Sequence, residues 1–256
     1  MVSISLTIKP IAKLVHIEAK AIATIISALS ELVDEVAFEI SDKGVIIRAL
    51  DPGKVALLEV ELPPEAFIEY EVKSPTKIGL SVSDVKKVMK NIKKGDKFIL
   101  AANEEFIELG IEGVPSRRYK FRNLEVASTE VPELQLEFPV KAVILADPLK
   151  AALSEIKGVA EAVEFRAENE ENLIVAEAEE KKVEIKFSKT AGTLIELELS
   201  EPAKACYDVS YLEGITGLAR IASNVEVRFG SDMPLNLKFM LAGQGTINYL
   251  LAPRVS

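Results

Sequence analysis

Part of this chain is written twice. The segment Ala28-Leu29-Ser30-Glu31-Leu32 returns as Ala152-Leu153-Ser154-Glu155-Ile156, 124 positions later. The match continues downstream: Val36-Ala37-Phe38-Glu39-Ile40 and Gly44-Val45-Ile46-Ile47 in the first copy, Ala162-Val163-Glu164-Phe165 and Asn172-Leu173-Ile174-Val175 in the second. Residues 77–100, with the pattern strand, helix, strand, find a counterpart in residues 206–229 at a spacing near 128. A single match of this length arises by chance, but two series of elements in the same order do not. With 256 residues, 48% of them hydrophobic, the chain has enough apolar material for two separate cores. It therefore reads as two versions of one unit, residues 1–122 and 138–256, joined by residues 123–137.

Apolar residues near i, i+3, i+4 and i+7 predict four helices, two per half. Residues 20–32 would bury Ile22, Ile25, Ile26 and Leu29, and residues 83–93 would bury Val85, Val88, Met89 and Ile92. The third helix opens at Asp147-Pro148, a capping residue followed by a proline at the first helical position, and buries Leu149, Ala152, Leu153 and Ile156 before Gly158. The fourth, residues 211–222, buries Leu212, Ile215, Leu218 and Ala219. It contains Gly214 and Gly217, each costing about 1 kcal/mol against alanine, so they mark close packing or a bend. Residues 55–62, 183–187, 194–199 and 225–229 alternate with period 2 and read as strands. The fold class is α+β, two similar domains. The joining stretch carries Leu124, Val126, Val131, Pro132 and Leu134 among acidic and small residues, a pattern for an extended segment lying on the surface.

The residue inventory removes several classes of chemistry. Cys206 is the only cysteine, which rules out an internal disulfide and a cysteine-built zinc site, and it is expected to be a small buried residue. His16 is the only histidine, expected on a strand surface, so neither a catalytic triad nor a two-histidine metal site can come from this chain. The acid pairs Glu104-Glu105, Glu170-Glu171 and Glu179-Glu180 fall in predicted turns without a basic partner to tune them. The glycines at Gly243 and Gly245 are not followed by the Lys-Ser or Lys-Thr of a phosphate loop. No catalytic residue, metal or cofactor is expected, and the chain does not read as an enzyme. No apolar run approaches the ~20 residues of a membrane span, and the start lacks a signal-peptide pattern, so a cytoplasmic location is expected. The absence of Trp, the two glutamines and the abundance of Lys and Glu suggest a thermophilic, archaeal source.

The net charge of −9 argues against a protein that coats nucleic acid with its whole surface, so local charge decides. The second predicted helix carries Lys86, Lys87, Lys90, Lys93 and Lys94 away from its apolar stripe. Such a face is either solvated surface or a set of phosphate contacts without base readout. Lys20 and Arg220 add charge on the first and fourth helices, which are otherwise much less basic.

The C-terminal run Ser231-Asp232-Met233-Pro234-Leu235, and then Gly245 with Tyr249-Leu250-Leu251-Ala252-Pro253-Arg254-Val255, resembles the closing signature of proliferating cell nuclear antigen clamps. Gly44-Val45, Ala49-Leu50-Asp51 and Val55-Ala56-Leu57 resemble that family's strand, aspartate turn and strand, and residues 85–91 its lysine-bearing helix. The resemblance implies a DNA polymerase sliding clamp: three subunits in a ring, helices around a central hole and antiparallel sheets outside. On that plan Lys86, Lys87, Lys90, Lys93, Lys94, Lys20 and Arg220 face double-stranded DNA. It also implies a pocket for partner peptides at Leu50, Val55, Leu57, Val131, Pro234, Leu250, Ala252 and Pro253, with polymerase, flap nuclease, DNA ligase and clamp loader as partners. Leu250 stands where the family commonly has an aromatic, and Pro52-Gly53-Lys54 replaces its small and basic turn residues. Ring closure would join an edge strand bearing Arg117, Arg118 and Lys120 to one bearing Glu177, Glu179, Glu180 and Glu184. The scarcity of cations on three of the four helices favours a ring of mixed subunits over a homotrimer. The alternatives are a damage-checkpoint clamp of the same fold and, in another class, an α+β enzyme.

Overall fold

The computed structural model describes residues 4–129, 136–180 and 182–254. The chain divides into two compact units, but not at a single cut. Residues 53–57 belong with the second unit and residues 242–245 with the first, the linker otherwise separating them.

The first unit contains β1 (Ala12–His16), α1 (Ala19–Leu29), β2 (Glu35–Ser41), β3 (Gly44–Leu50), β4 (Ala56–Leu62), β5 (Glu69–Val72), β6 (Thr76–Ser81), α2 (Val82–Val88), β7 (Lys97–Ala102), β8 (Phe106–Glu112) and β9 (Arg117–Arg122). The first two residues of β4 are grouped with the other unit. Its strands run in the orders β5-β1-β7-β8-β9 and β4-β3-β2-β6. The second unit contains β10 (Val140–Leu145), α3 (Ala146–Lys157), β11 (Ala162–Asn169), β12 (Asn172–Glu177), β13 (Glu184–Ser188), β14 (Leu194–Leu199), β15 (Ala203–Asp208), α4 (Val209–Ile215), β16 (Ala222–Phe229), β17 (Leu235–Leu241) and β18 (Thr246–Leu251). Its orders are β14-β10-β16-β17-β18 and β13-β12-β11-β15. Strand for strand and helix for helix, one plan is used twice, which is the structural content of the sequence repeat.

Each unit closes its core with the same device. Strand β18 shows it: Ile247, Tyr249 and Leu251 are fully buried while Thr246, Asn248 and Leu250 stay half-exposed, the period of a sheet with one face on the core. Helix α1 buries Ile22, Ile25, Ile26 and Leu29 in the first unit, and α3 buries Leu149, Ala152, Leu153 and Ile156 in the second, as the spacing predicts. Each large aliphatic side chain so buried contributes about 1.5–3 kcal/mol.

The helix ends differ from expectation. Helix α1 stops at Leu29, three residues early. In α3 the N-cap is Leu145, so Asp147 and Pro148 fall inside the first turn. The proline sacrifices no helical bond there because first-turn N–H groups have no helical partner, and Asp147 complements the helix dipole. Helix α4 starts earlier, at Val209, because Asp208 caps it, accepting the Ser210 N–H at 2.8 Å. It then tightens into a 3-10 turn over Thr216–Arg220, so the two glycines flank a change of helix type. Helix α2 is the largest departure, ending at Val88 instead of residue 93. Lysines at 86, 90, 93 and 94 would stack like charges at i, i+3 and i+4 in a longer helix, each pair destabilising it by about 0.2–0.5 kcal/mol.

The first part of the linker is extended and lies on the first unit along β6. Asn123 Oδ1 accepts the Gly79 N–H at 2.8 Å, Leu124 N–H donates to the Gly79 carbonyl at 3.0 Å, and the Thr129 hydroxyl donates to the Arg48 carbonyl at 3.1 Å. Gly79 has no alternative: a Cβ there would sit 2.2 Å from the Leu124 carbonyl oxygen. Residues 130–135, Val131 among them, lie outside the described residues.

Candidate functional site

The lysine cluster divides in two. Lys86 on α2 reaches the Ser30 hydroxyl at 2.8 Å and the Glu31 carboxylate at 3.1 Å, tying α2 to the end of α1. Lys87 pairs with Asp84 one turn earlier at 2.8 Å, and this hydrogen bond holds the Asp84 carboxyl below its ordinary range. Both ammonium groups are thus partly neutralised within the subunit. Lys90, Lys93 and Lys94 lie beyond the helix, in the turn leading to β7, and all three are exposed.

That turn is built from beneath. The Asp96 carboxylate, only 5% exposed, accepts the Lys93 N–H at 3.0 Å and the Arg117 Nη2 at 3.1 Å. Arg117 Nη1 donates to the Asn91 carbonyl at 3.2 Å. Gly113 leaves the space Asp96 needs, since a Cβ there would lie 2.1 Å from its Oδ1. Arg117, expected at a subunit edge, instead turns inward and fixes the lysine turn. It does so because a buried carboxylate must be paired. Lys20 on α1 and Arg220 on the 3-10 turn are exposed, each on its own unit.

The residues expected to form a peptide pocket share an exposure class. Leu50 on β3, and Val55, Leu57, Pro234, Leu250, Ala252 and Pro253 of the second unit, are all half-exposed, unlike their fully buried neighbours Tyr249 and Leu251. They are therefore not core. In the second unit the Ala252 N–H donates to the Val55 carbonyl at 2.9 Å, placing residues 53–57 beside the segment after β18. The Tyr207 hydroxyl donates to the Met233 carbonyl at 2.9 Å and holds the turn carrying Pro234. Burial raises the Tyr207 phenol pKa, so the hydroxyl keeps its donor proton. Cys206, expected to be buried, is half-exposed and lines an open cleft with Lys204, Asp232 and Arg254.

Strands β9 and β13 each end a strand order, as an edge role requires. Their charges are less free than the sequence implies. Arg118 donates to the Ser5 carbonyl, and the Lys120 ammonium sits 4.0 Å over the Phe106 ring. Residues 177–186 are not one strand, because a bend separates β12 from β13. Glu177, 3% exposed, causes it: its carboxylate accepts the N–H groups of Glu179 and Glu180 at 2.7 Å each and of Lys182 at 3.1 Å. Glu177 is therefore a turn former and not an edge residue. Glu179 is exposed, Glu180 pairs with Lys182, and Glu184 pairs with Arg166 at 3.0 Å. Charge pattern alone misses Tyr119, Phe121 and Ile185, half-buried on the core side of the two edge strands. The alternation of aromatics with cations in Arg118-Tyr119-Lys120-Phe121-Arg122 is the signal that could have found the first two.

His16, at the end of β1, is half-buried and not a plain surface residue: its Nδ1 lies 2.9 Å from the Glu18 carbonyl oxygen and 3.1 Å from the Glu18 amide nitrogen, and its ring meets Phe67 edge-on at 5.9 Å between centroids. Burial holds its pKa below the ordinary value.

Known proteins share this arrangement. Family models for the N-terminal and C-terminal domains of proliferating cell nuclear antigen match residues 12–131 and 154–254. The DNA polymerase sliding clamp of Thermofilum pendens is 36% identical over 244 residues, covering 95% of this chain and 99% of that one. That of Pyrococcus furiosus is 36% identical over 239 residues, covering 93% and 96%. Among solved structures, the PCNA2-PCNA3 complex from Sulfolobus tokodaii superposes with a TM-score of 0.89 at 29% identity, over 94% of this chain and 99% of that one. PCNA from Thermococcus kodakaraensis gives 0.86 at 32% identity, over 95% and 100%.

Proposed function

The chain belongs to the proliferating cell nuclear antigen family of DNA polymerase sliding clamps, and from that membership we propose how this subunit encircles DNA and recruits its clients. Its function is that of a processivity factor. The observation that carries the mechanism is the duplicated plan: each unit supplies two helices, and the strand orders leave β9 and β13 as ends.

Three subunits close head to tail by pairing β9 of one with β13 of the next, a contact that repeats until the ring closes. Tyr119 and Phe121 on one edge and Ile185 on the other are covered by this pairing, which supplies apolar burial that the internally engaged charges do not. The ring is of mixed subunits, since basic residues are concentrated on one helix and its following turn.

DNA contact rests chiefly on Lys90, Lys93 and Lys94, with Lys86, Lys87, Lys20 and Arg220 contributing less. Lysine offers a point charge and no base readout, so contacts move freely from phosphate to phosphate. Weak contact suits sliding, because topology retains the ring. The acidic balance belongs to the outer surface, and the chain performs no reaction of its own.

Client enzymes dock a short segment as a helical turn whose apolar anchors sit on Val55, Leu57, Pro234, Leu250, Ala252 and Pro253 of the second unit. Polymerase, flap nuclease, ligase and loader are the expected partners. The test combines mass in solution with polymerase stimulation on primed circular DNA. A mass near three subunits with longer products supports the reading. A stable monomer that neither joins related subunits nor stimulates a polymerase overturns it.

A further inference from the structure

The family match begins at Ala12, yet the residues before it are part of the fold. Residues 4–10, bending at Thr7 and Ile8, cross the sheet strands β7, β8 and β9. Ile11 N–H is bonded to Ala102 on β7, Thr7 lies over β8 and Ser5 reaches β9. The anchoring is specific. Thr7 donates its N–H at 2.8 Å and its hydroxyl to the two oxygens of Glu108, a carboxylate with no exposure at all. Ile4 closes on the bare backbone of Gly110, its Cδ1 3.1 Å from where a Cβ would be. Arg118, on the edge strand itself, donates to the Ser5 carbonyl.

An unanchored tail would not build a satisfied, buried carboxylate. Ile4, Leu6 and Ile8 alternate with the exposed Ser5, Thr7 and Lys9, and each remains half-exposed after seating on the sheet. The arm therefore leaves an unfinished apolar ridge beside the strand at which the ring is proposed to close. We propose that residues 4–10 are a second part of the subunit interface, covered by the neighbouring clamp subunit when β9 is paired. This inference rests on the ring reading above. The arm adds apolar area next to the backbone pairing and holds Arg118 in place, so it strengthens the joint on this side of the subunit.

The arm is separable from the fold: with it gone, Glu108 returns to water, where a carboxylate is at ease. The test uses the full chain, a variant starting at Pro10 and Thr7→Pro, which removes both donors to Glu108 without touching the sheet. Assembly is measured on dilution by mass photometry, with related clamp chains of the source added if the chain alone stays monomeric. Circular dichroism confirms the fold of each variant. The expected result is assembly at least tenfold weaker in both variants, with polymerase stimulation restored at saturating subunit concentration. Unchanged assembly of well-folded variants overturns the inference while leaving the clamp intact. Weakened stimulation at saturation with unchanged assembly also overturns it, assigning the arm to a client. Failure of the full-length chain to assemble at all overturns the ring reading, and the arm's role with it.

Discussion

Gly79 shows how much one missing methyl group can carry. With the Leu124 carbonyl oxygen 2.2 Å from its would-be Cβ and Val126 Cγ2 at 2.7 Å, Gly79→Ala must push the linker off β6. Overpacking of this kind costs about 1–3 kcal/mol. The expected outcome is a lower melting temperature with faster hydrogen exchange over residues 123–129, read by mass spectrometry. Unchanged exchange there would mean that the linker is not held by this contact. His16 makes a pH-dependent contribution of definite sign. Burial lowers its folded pKa from 6.5 and outweighs the Glu18 carbonyl 2.9 Å from Nδ1, which favours the protonated ring. Below about pH 6.5 the unfolded chain takes up a proton that the folded chain refuses, so stability falls with pH until both states are protonated. Melting curves between pH 7.5 and 5 should therefore fall less steeply for His16→Gln than for the parent chain. Parallel curves would remove His16 from the account.

Among the elements, the buried stripes of the first, third and fourth helices were legible because their spacing is set by the core itself. Of the second, Val85 and Met89 are buried but Val88 and Ile92, expected with them, are half-exposed, because the helix ends at Val88 and the turn that follows leaves the stripe. The helix ends were not, because they depend on local contests: Asp208 against Tyr211 for the start of α4, lysine repulsion against propensity at the end of α2. Nor were the long-range partners of charged residues. Nothing local tells Arg117 to seek Asp96, 21 residues away, or Glu177 to turn back on its own loop. The cluster of lysines was visible, but its division into engaged and exposed members needed Ser30, Glu31 and Asp84 in place. That division is testable. Replacing Lys90, Lys93 and Lys94 by alanine should flatten the plot of log affinity for short duplex DNA against log salt by up to about 0.9 for each phosphate no longer neutralised. Replacing Lys86 and Lys87 should change it less. Arg117→Ala should weaken binding without removing a contacting charge, by freeing residues 91–96. An unaffected affinity would show that the turn keeps its shape on Asp96 alone.

For the molecule as a whole, duplication assigns the proposed ring edge and the proposed client site to different copies of one plan. The two units repeat one strand order, and in the second unit the end of β18 is flanked by residues 53–57, whereas β9, its counterpart in the first, ends its strand order. One copy of the plan thus carries the proposed pocket floor where the other carries the edge proposed for assembly. The repeat made this architecture readable from sequence, and the resemblance supplied the residues of the proposed pocket. Their half-exposure is what marks the described pocket residues as surface, since apolar type alone does not distinguish them from core. If retention is topological and recruitment is local, the two properties must separate under mutation. Leu250→Asp places a charge on the pocket floor, far in function from the lysine turn. Rings of this variant should stay on closed circular DNA as long as the parent and leave equally fast when the circle is cut. Polymerase stimulation should fall about tenfold or more, the loss expected when one anchor contact of about 1–2 kcal/mol is destroyed. Joint loss of retention and stimulation would instead place Leu250 in the integrity of the ring, and normal stimulation would move the client site elsewhere.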